Sequence, residues 1–483
     1  MSITDIDLLV RLLSMNQKYW FWWLIGLIVI VLISCAKPAS SPIRVLPTTT
    51  PTQFILTPIA ISTIESQFAG LIPEDDLGLR GITIKFWYPW YGEAAGKIDE
   101  LINDFNQTNP QKIIINAQPM GSVEYLESSM LDSLTSKNEP DILAASIPFL
   151  SALHQEQQNL VDINSYINNK KWGLNSETVL SFPLTFWNQD LDGDFRFGFP
   201  AQRDAHLLFY DQSWAKQLGY QSPPQTPDDF LNQSCAAARV NAYDNDLDNN
   251  GTGGWLYNTN SITVLSWLRG FNGGILPQQK EDQYHFDIQS NEEAFTYLYK
   301  LNNLDCAWTG KESDPYQYFA NKQAIFFSGT LRDILLQEKK LPADEWSVIP
   351  YPSLNQNPVV LVDGYSYGIV KSTPEKQLAA WLFVQWLTKP ENQAKMISVT
   401  GTFPLTNTAI EYLTDFRNQH PAWNSALQYI PLARSAPNQE SWLITGKVLQ
   451  DAAWQLTQYT VKQGDIPTIL GQTDQLIQSL QPQ

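Results

Sequence analysis

From residue 82 onward the chain alternates between two hydrophobic periods, and this restricts its fold more than any other feature. Ile82-Thr83-Ile84-Lys85-Phe86-Trp87 reads as a strand closed by Pro89 and Gly92, after which Ile98, Leu101, Ile102 and Phe105 recur at helical spacing. Ile113-Ile114-Ile115-Asn116-Ala117 predicts a second strand. Tyr125, Leu126, Met130, Leu131 and Leu134 predict a second helix, and Asp141-Ile142-Leu143-Ala144-Ala145 a short buried strand. Such a succession predicts the α/β class, a parallel sheet with helices on its faces. Ligands of such sheets sit beyond the carboxyl ends of the strands, which singles out residues 87–92 and 146–148.

The pattern continues. Gly198-Phe199-Pro200 leads into a strand at His206-Leu207-Leu208-Phe209-Tyr210. Thr226-Pro227-Asp228-Asp229 then opens a long helix: Thr caps, Pro fits the first turn, and the acids suit the helix dipole. Residues 263–271 and 292–303 read as helices. Ala324-Ile325-Phe326-Phe327 reads as a strand stopping at Ser328-Gly329-Thr330, with a new helix through Arg332. Ser372-Thr373-Pro374-Glu375 repeats the capping logic ahead of Leu378, Leu382 and Trp386. At roughly 100–200 residues per domain, the chain beyond residue 81 has room for two domains with proper cores. A formal charge of −18 speaks against nucleic acid or anionic lipid as partners, because phosphate binding depends on Lys and Arg. The 17 Trp suit sugar rings as well as cores.

Upstream, Lys18 leads into an apolar run ending Leu32-Ile33-Ser34-Cys35. The run is at the short edge of what spans a bilayer and reads as the h-region of a signal peptide. Its end resembles the lipobox of bacterial lipoproteins, which implies lipidation of Cys35 and a processed segment 1–35. A plain transmembrane anchor at the same place is the alternative, and both export the rest of the chain. Met15-Asn16-Gln17-Lys18 makes an ordinary n-region, so the translation start is expected at Met15. Residues 36–80 begin with a Pro/Ser/Thr-rich stretch that cannot bury enough apolar surface to fold. They are expected to be a tether with a reach of roughly 35–40 Å. Cys235 and Cys306 are then left in an oxidising compartment and are expected to form a disulfide.

The order of these pieces resembles the extracellular solute-binding proteins of ABC importers, in the maltose-binding-like group. The marks are Pro140-Asp141-Ile142, Leu160-Val161-Asp162-Ile163, Gly198-Phe199-Pro200, Phe209-Tyr210-Asp211 with Leu218-Gly219, Thr226-Pro227, Ile349-Pro350-Tyr351-Pro352 and the stretches 319–329, 364–368, 379–387 and 401–404. The resemblance implies a two-lobed periplasmic-binding-protein fold (type II) with a hinge between the lobes, crossed near 203–205, near 363–365 and near Pro404. Lobe one would be 81–203 plus 366–403, and lobe two 204–363 plus 404–483. It implies a monomer held to the membrane on the periplasmic side or cell surface. Such a protein takes a small solute, here a carbohydrate, to ABC permease subunits without covalent chemistry or cofactor. Ligand contacts are expected from Trp90, Tyr91, Ser146, Trp267, Arg269, Thr330, Arg332, Tyr365 and Trp442, the aromatics stacking on a ring and the polar groups bonding its substituents.

Two motifs compete with that reading. Gly364-Tyr365-Ser366-Tyr367-Gly368 matches the G-x-S-x-G nucleophile elbow and raises the alternative of a membrane-anchored serine hydrolase using Ser366. The elbow needs a helix directly after its serine, whereas Ile369-Val370-Lys371 reads as strand and the only downstream histidine is His420. Asp246, Asp248 and Asn250, followed by Gly251, resemble half a calcium loop. Tyr257 stands where an EF-hand has its bidentate Glu, so a solvated turn is the expectation and no metal is assigned.

Overall fold

The computed structural model describes residues 72–277, 284–310, 315–342 and 345–480; Cys35, Met15, the signal segment and most of the tether lie outside them. Strand β1 (Thr83–Tyr88) buries Ile84, Phe86 and Tyr88 on one face and Trp87 on the other, as its alternation requires. The helix Gly92–Thr108 covers the first face with Ile98, Leu101, Ile102 and Phe105, a stripe at helical spacing. Strands β2 (Ile114–Pro119) and β3 (Ile142–Ser146) flank β1 in parallel. A short hairpin, β4 (Leu191–Asp192) and β5 (Phe195–Arg196), precedes the first long strand.

That strand, β6 (Phe199–Tyr210), is continuous, although the sequence separates Phe199-Pro200 from a strand beginning at His206. Pro200 has no N–H to give a ladder. The pairing of β6 with its neighbour slips between Tyr365 and Ser366, opposite Pro200, and an irregularity of this kind is where a proline is tolerated inside a sheet. The remaining strands are β7 (Gly253–Leu256), β8 (Ala307–Trp308), β9 (Ala324–Thr330), β10 (Ser347–Ile349), β11 (Val360–Ile369) and β12 (Ala433–Ser435). Their order is β2-β1-β3-β11-β6-β9-β7-β8, with β10 also on β6 and β12 also on β11.

β6 and β11 run antiparallel and belong to both halves of this sheet. Residues 365–369 of β11 pair with β3, and residues 360–362 pair with β12. β6 pairs with β11 up to Ala205 and with β9 from His206. One large core lies at the β1–β3 end, around Phe86, Trp381 and Phe383. A second surrounds Trp255, Trp267 and Phe326 at the β7–β9 end, and a further cluster lies around Phe209, Phe327 and Trp346. A third segment touches the crossing, where the Phe403 N–H donates to the Arg203 carbonyl at 2.8 Å. At the crossing itself, Gly364 has φ 145°, and a Cβ there would lie 2.2 Å from the Gln202 carbonyl oxygen. Only glycine lets the two backbones approach so closely.

The helix Pro227–Tyr243 starts with the expected cap, in which Thr226 and Asp229 bond reciprocally. Within it Cys235 is joined to Cys306, 71 residues away, with a Cα–Cα distance of 4.4 Å. The bridge fastens this helix to the chain entering edge strand β8 and restricts the unfolded ensemble, an effect of about 2–4 kcal/mol for typical disulfides.

Candidate ligand-binding site

Because side chains alternate along a strand, Asp204 and His206 share one face of β6, and Asp363 and Tyr365 share one face of β11. The register places Asp204 directly opposite Asp363. Two carboxylates at such a distance repel, and two cations compensate them. Arg332, in the first turn of the helix Leu331–Gln337, donates from Nε to Asp204 Oδ2 at 2.6 Å, while the Leu331 N–H reaches Oδ1 at 3.0 Å. His206 Nε2 lies 3.0 Å from Asp363 Oδ2. The Asp204 side chain is 2 % exposed, but those of Arg332 and Asp363 remain 49 % and 44 % exposed, so this floor opens to solvent through one guanidinium and one carboxylate.

The electrostatics reflect that arrangement. Burial raises the pKa of Asp204, with Arg332 pulling against it. Burial also opposes ionisation of Asp363, yet His206, Arg332 and Arg203 outweigh it and hold the carboxyl below the usual range. For His206 burial disfavours the charged form, and the neighbouring Asp363 and Asp204 overcome it and raise the pKa. Asp204, the largest influence on Arg332, raises its pKa and keeps the guanidinium charged.

A wall rises beside this floor from elements at the β1–β3 end of the sheet. Ser146 ends β3, pairs with Tyr365 of β11, and precedes the helix Ile147–Ala152. Its N–H donates to Glu127 Oε1 at 3.2 Å. Burial pushes the Glu127 pKa up to about 7, against the Ser146 hydrogen bonds and the pull of Lys447 on the helix Trp442–Gln455. Behind Tyr365 sits Trp90, whose indole N–H donates to Gln202 Oε1 at 2.6 Å and whose ring meets Tyr365 and Tyr367 edge-on. Tyr91, next to it, is 76 % exposed.

Residues 100–426, more than half of the chain, match the sequence profile of the bacterial extracellular solute-binding proteins. The chain belongs to this family. Among curated relatives, the sn-glycerol-3-phosphate-binding periplasmic protein UgpB of Salmonella typhimurium is 23 % identical over 353 residues, covering 68 % of this chain and 75 % of UgpB. The sugar-binding protein MalE of Xanthomonas citri superposes with a TM-score of 0.68 at 18 % identity, covering 82 % of this chain and 98 % of MalE. UgpB of Mycobacterium tuberculosis, solved in complex with glycerophosphocholine, gives 0.69 at 15 % identity over the same shares. The fold is that of these two-lobed binding proteins, with a mixed and curled sheet. Among the described residues no helix is long and apolar enough to cross a membrane.

Of the residues expected to contact ligand in this solute-binding protein, Ser146, Thr330, Arg332 and Tyr365 come together around the β6–β11 crossing. Trp90 stands behind them at 6 % exposure, leaving little of its ring for stacking. Trp267 is a correction: it is fully buried, with Phe230, Trp255, Tyr297 and Tyr351 packed around it at 4.9–5.6 Å between ring centroids. The helix Ser261–Gly270 is buried along most of its length, so position on it does not mean access to a cleft. Arg269, in its last turn, donates to the Gly274 carbonyl at 3.4 Å, and burial and nearby Arg434 lower its pKa; no contact joins it to the floor. Trp442, 7 % exposed, begins the helix carrying Lys447 and packs on Tyr284.

Four residues of the candidate site escape a reading of the sequence: Glu127, Asp204, His206 and Asp363. Polar residues at 202–204 and 206 inside an apolar strand, and a lone acid after Val359-Val360-Leu361-Val362, are the available signals. Glu127 leaves none. The serine-hydrolase alternative finds no support. Ser366 is fully buried in the middle of β11, donates to Asp190 Oδ1 at 2.6 Å and accepts from Arg203, itself paired with Asp190. The strand runs straight through it, so there is no elbow, and His420 is engaged with Glu338. Asp246 accepts from the Asp248 N–H at 3.0 Å in an exposed turn, and Asp244 accepts from the Asp246 N–H. These carboxylates cap their own backbone. Among the described residues no group of three or more His, Cys, Asp or Glu is placed to hold a metal.

Proposed function

We propose that this protein captures a small solute, a carbohydrate, in the cleft between its lobes and delivers it to the permease subunits of an ABC importer, with no covalent chemistry of its own. The observation that carries the reading is the crossing of β6 and β11, where Arg332, Asp363 and Tyr365 form an accessible polar and aromatic floor. Neutral sugars are bound by such a mix of aromatic surface and hydrogen-bonding groups. The sugar ligands named for several structural neighbours, maltose and mannotriose among them, support the class. The lobes we assign are 81–203 plus 366–403 and 204–363 plus 404–483, hinged at the crossing segments. Lipidation of Cys35 would hold the protein as a monomer on the outer side of the cell membrane, reaching from its tether.

The test is a thermal-shift screen of the full chain in detergent against mono- and oligosaccharides, polyols and polyamines. A ligand at 100 times its Kd adds about 2.7 kcal/mol to native stability. Stabilisation by one sugar class is the expected result. A panel with no stabilising member, together with release of product from an ester or glycoside, would overturn the reading.

A further inference from the structure

Residues 72–80 stand just ahead of β1 and are built into the β1–β3 end of the sheet. The Trp172 indole N–H donates to the Pro73 carbonyl at 2.7 Å, and Lys171 Nζ donates to the Glu74 carbonyl at 2.9 Å. Leu79 is fully buried in the core around Trp381, Ile72 packs against the same core, and Gly78 lies against the Glu375 side chain. The clamp is itself held. The N–H groups of Lys171 and Trp172 donate to Asn169 Oδ1 at 2.9 and 3.0 Å, and the Trp172 carbonyl accepts from Trp381 Nε1 and Gln385 Nε2, both at 2.8 Å. Lys171 Nζ also sits 4.4 Å from the centre of the Trp172 ring, a cation–π contact. Hydrogen bonds to two backbone carbonyls and a buried leucine thus fasten a segment whose own structure is a single short turn.

Strand direction fixes where this segment sits. β1, β2 and β3 are parallel, and their carboxyl ends meet the floor, where Ser146 pairs with Tyr365. The segment precedes β1, and Glu375 lies in the first turn of the helix Pro374–Leu387, just after β11, which runs antiparallel to β3. Both put it at the amino ends of β1–β3, the pole away from the floor. Lys171, Trp172 and Glu375 all belong to lobe one as assigned above. We propose that residues 72–79 are a strap fastening the N-terminal segment to this pole, so that a protein held at a membrane by that segment hangs from lobe one and lobe two is the free, moving body. The cleft then faces away from the point of attachment. It turns toward an importer only as far as the roughly 36 residues from Ala36 to Leu71 reach, at most about 120 Å. This rests on the membrane-held, solute-binding reading above and adds which lobe is held.

The test is limited trypsin digestion of the full chain in detergent, with the cut sites read by mass spectrometry. Cleavage after Arg44 should run at least about tenfold faster than cleavage after Arg80, which the strap protects although the residue is exposed. Trp172→Ala should abolish that protection, and Lys171→Met serves if the first variant does not fold. Equal rates at the two sites in the unaltered chain overturn the strap, and protection that persists in both variants overturns the clamp. The held lobe is read on a chain lacking 40–67, inserted by its N-terminal segment into phosphatidylcholine vesicles that carry an acceptor lipid. A donor dye is placed at 112, whose carbonyl accepts from the Gly81 N–H beside the strap, or at the exposed position 459 in the other lobe. Energy transfer should be about twofold or more stronger from 112, because the roughly eight tether residues left reach at most about 28 Å. Equal transfer overturns the assignment of lobe one as the held body. A full chain that no sugar stabilises counts against the solute-binding reading and leaves these outcomes standing.

Discussion

Glu127 shows how much one side chain depends on neighbours far away in sequence. Its carboxyl is drawn into a partly covered site beside the Ser146 N–H, and burial lifts its pKa to about 7. The folded value is above the unfolded one, so the folded state favours the protonated form. The stability this contributes is fully present below the ordinary glutamate range and is lost as pH rises through about 7. The melting temperature of the unaltered protein should therefore fall between pH 5 and pH 8 relative to Glu127→Gln, in which no proton is exchanged. Parallel melting curves for the two proteins would refute the shift. Trp267 gives the converse case: an aromatic at a place where the family resemblance implied a ligand contact, whose ring is packed among Phe230, Trp255, Tyr297 and Tyr351 in the core at the β7–β9 end.

At the level of elements, the strand pair β6–β11 does two jobs at once. It ties the two halves of the sheet, and it presents Asp204, His206, Asp363 and Tyr365 on one face. The buried Arg203–Asp190 pair backs it, bonded also to the Ser366 hydroxyl and the Tyr365 carbonyl. Removing one partner of such a pair would leave a buried charge without compensation. The narrowest point is Gly364, where the opposing backbone leaves no room for a Cβ. Gly364→Ala should cost about 1–3 kcal/mol in chemical denaturation, from forbidden backbone geometry alone, and more where the strands are pushed apart. A variant as stable as the parent would show that the strands separate at this point without penalty.

For the whole molecule, the halves of the sheet are joined by few strands, and the proposed site lies where those strands cross. Hinge closure around ligand is the motion open to such a build. Small-angle scattering should report a smaller radius of gyration when a stabilising sugar is added at saturation. An unchanged profile with bound sugar would count against closure. The disulfide Cys235–Cys306 and the aromatic packing around Trp255 lie within one half and tie it together, so a closing motion would fall on the crossing segments.

Local structure and, through the order of the elements, the family are written in the linear chain. Hydrophobic period, helix caps at Thr226 and Thr373, and turn residues act over a few positions, so they are legible in a linear string. The strand ends near Ser146 and Thr330 were legible too, because strand boundaries follow from the same local pattern. Which side chains face one another is set by the fold. Asp204 meets Asp363, far along the chain, because of strand register. Glu127 meets Ser146 through the packing of a helix on a sheet. Trp267 turns inward because its helix is covered along its length. Register and burial come from contacts between distant segments, and no local pattern encodes them.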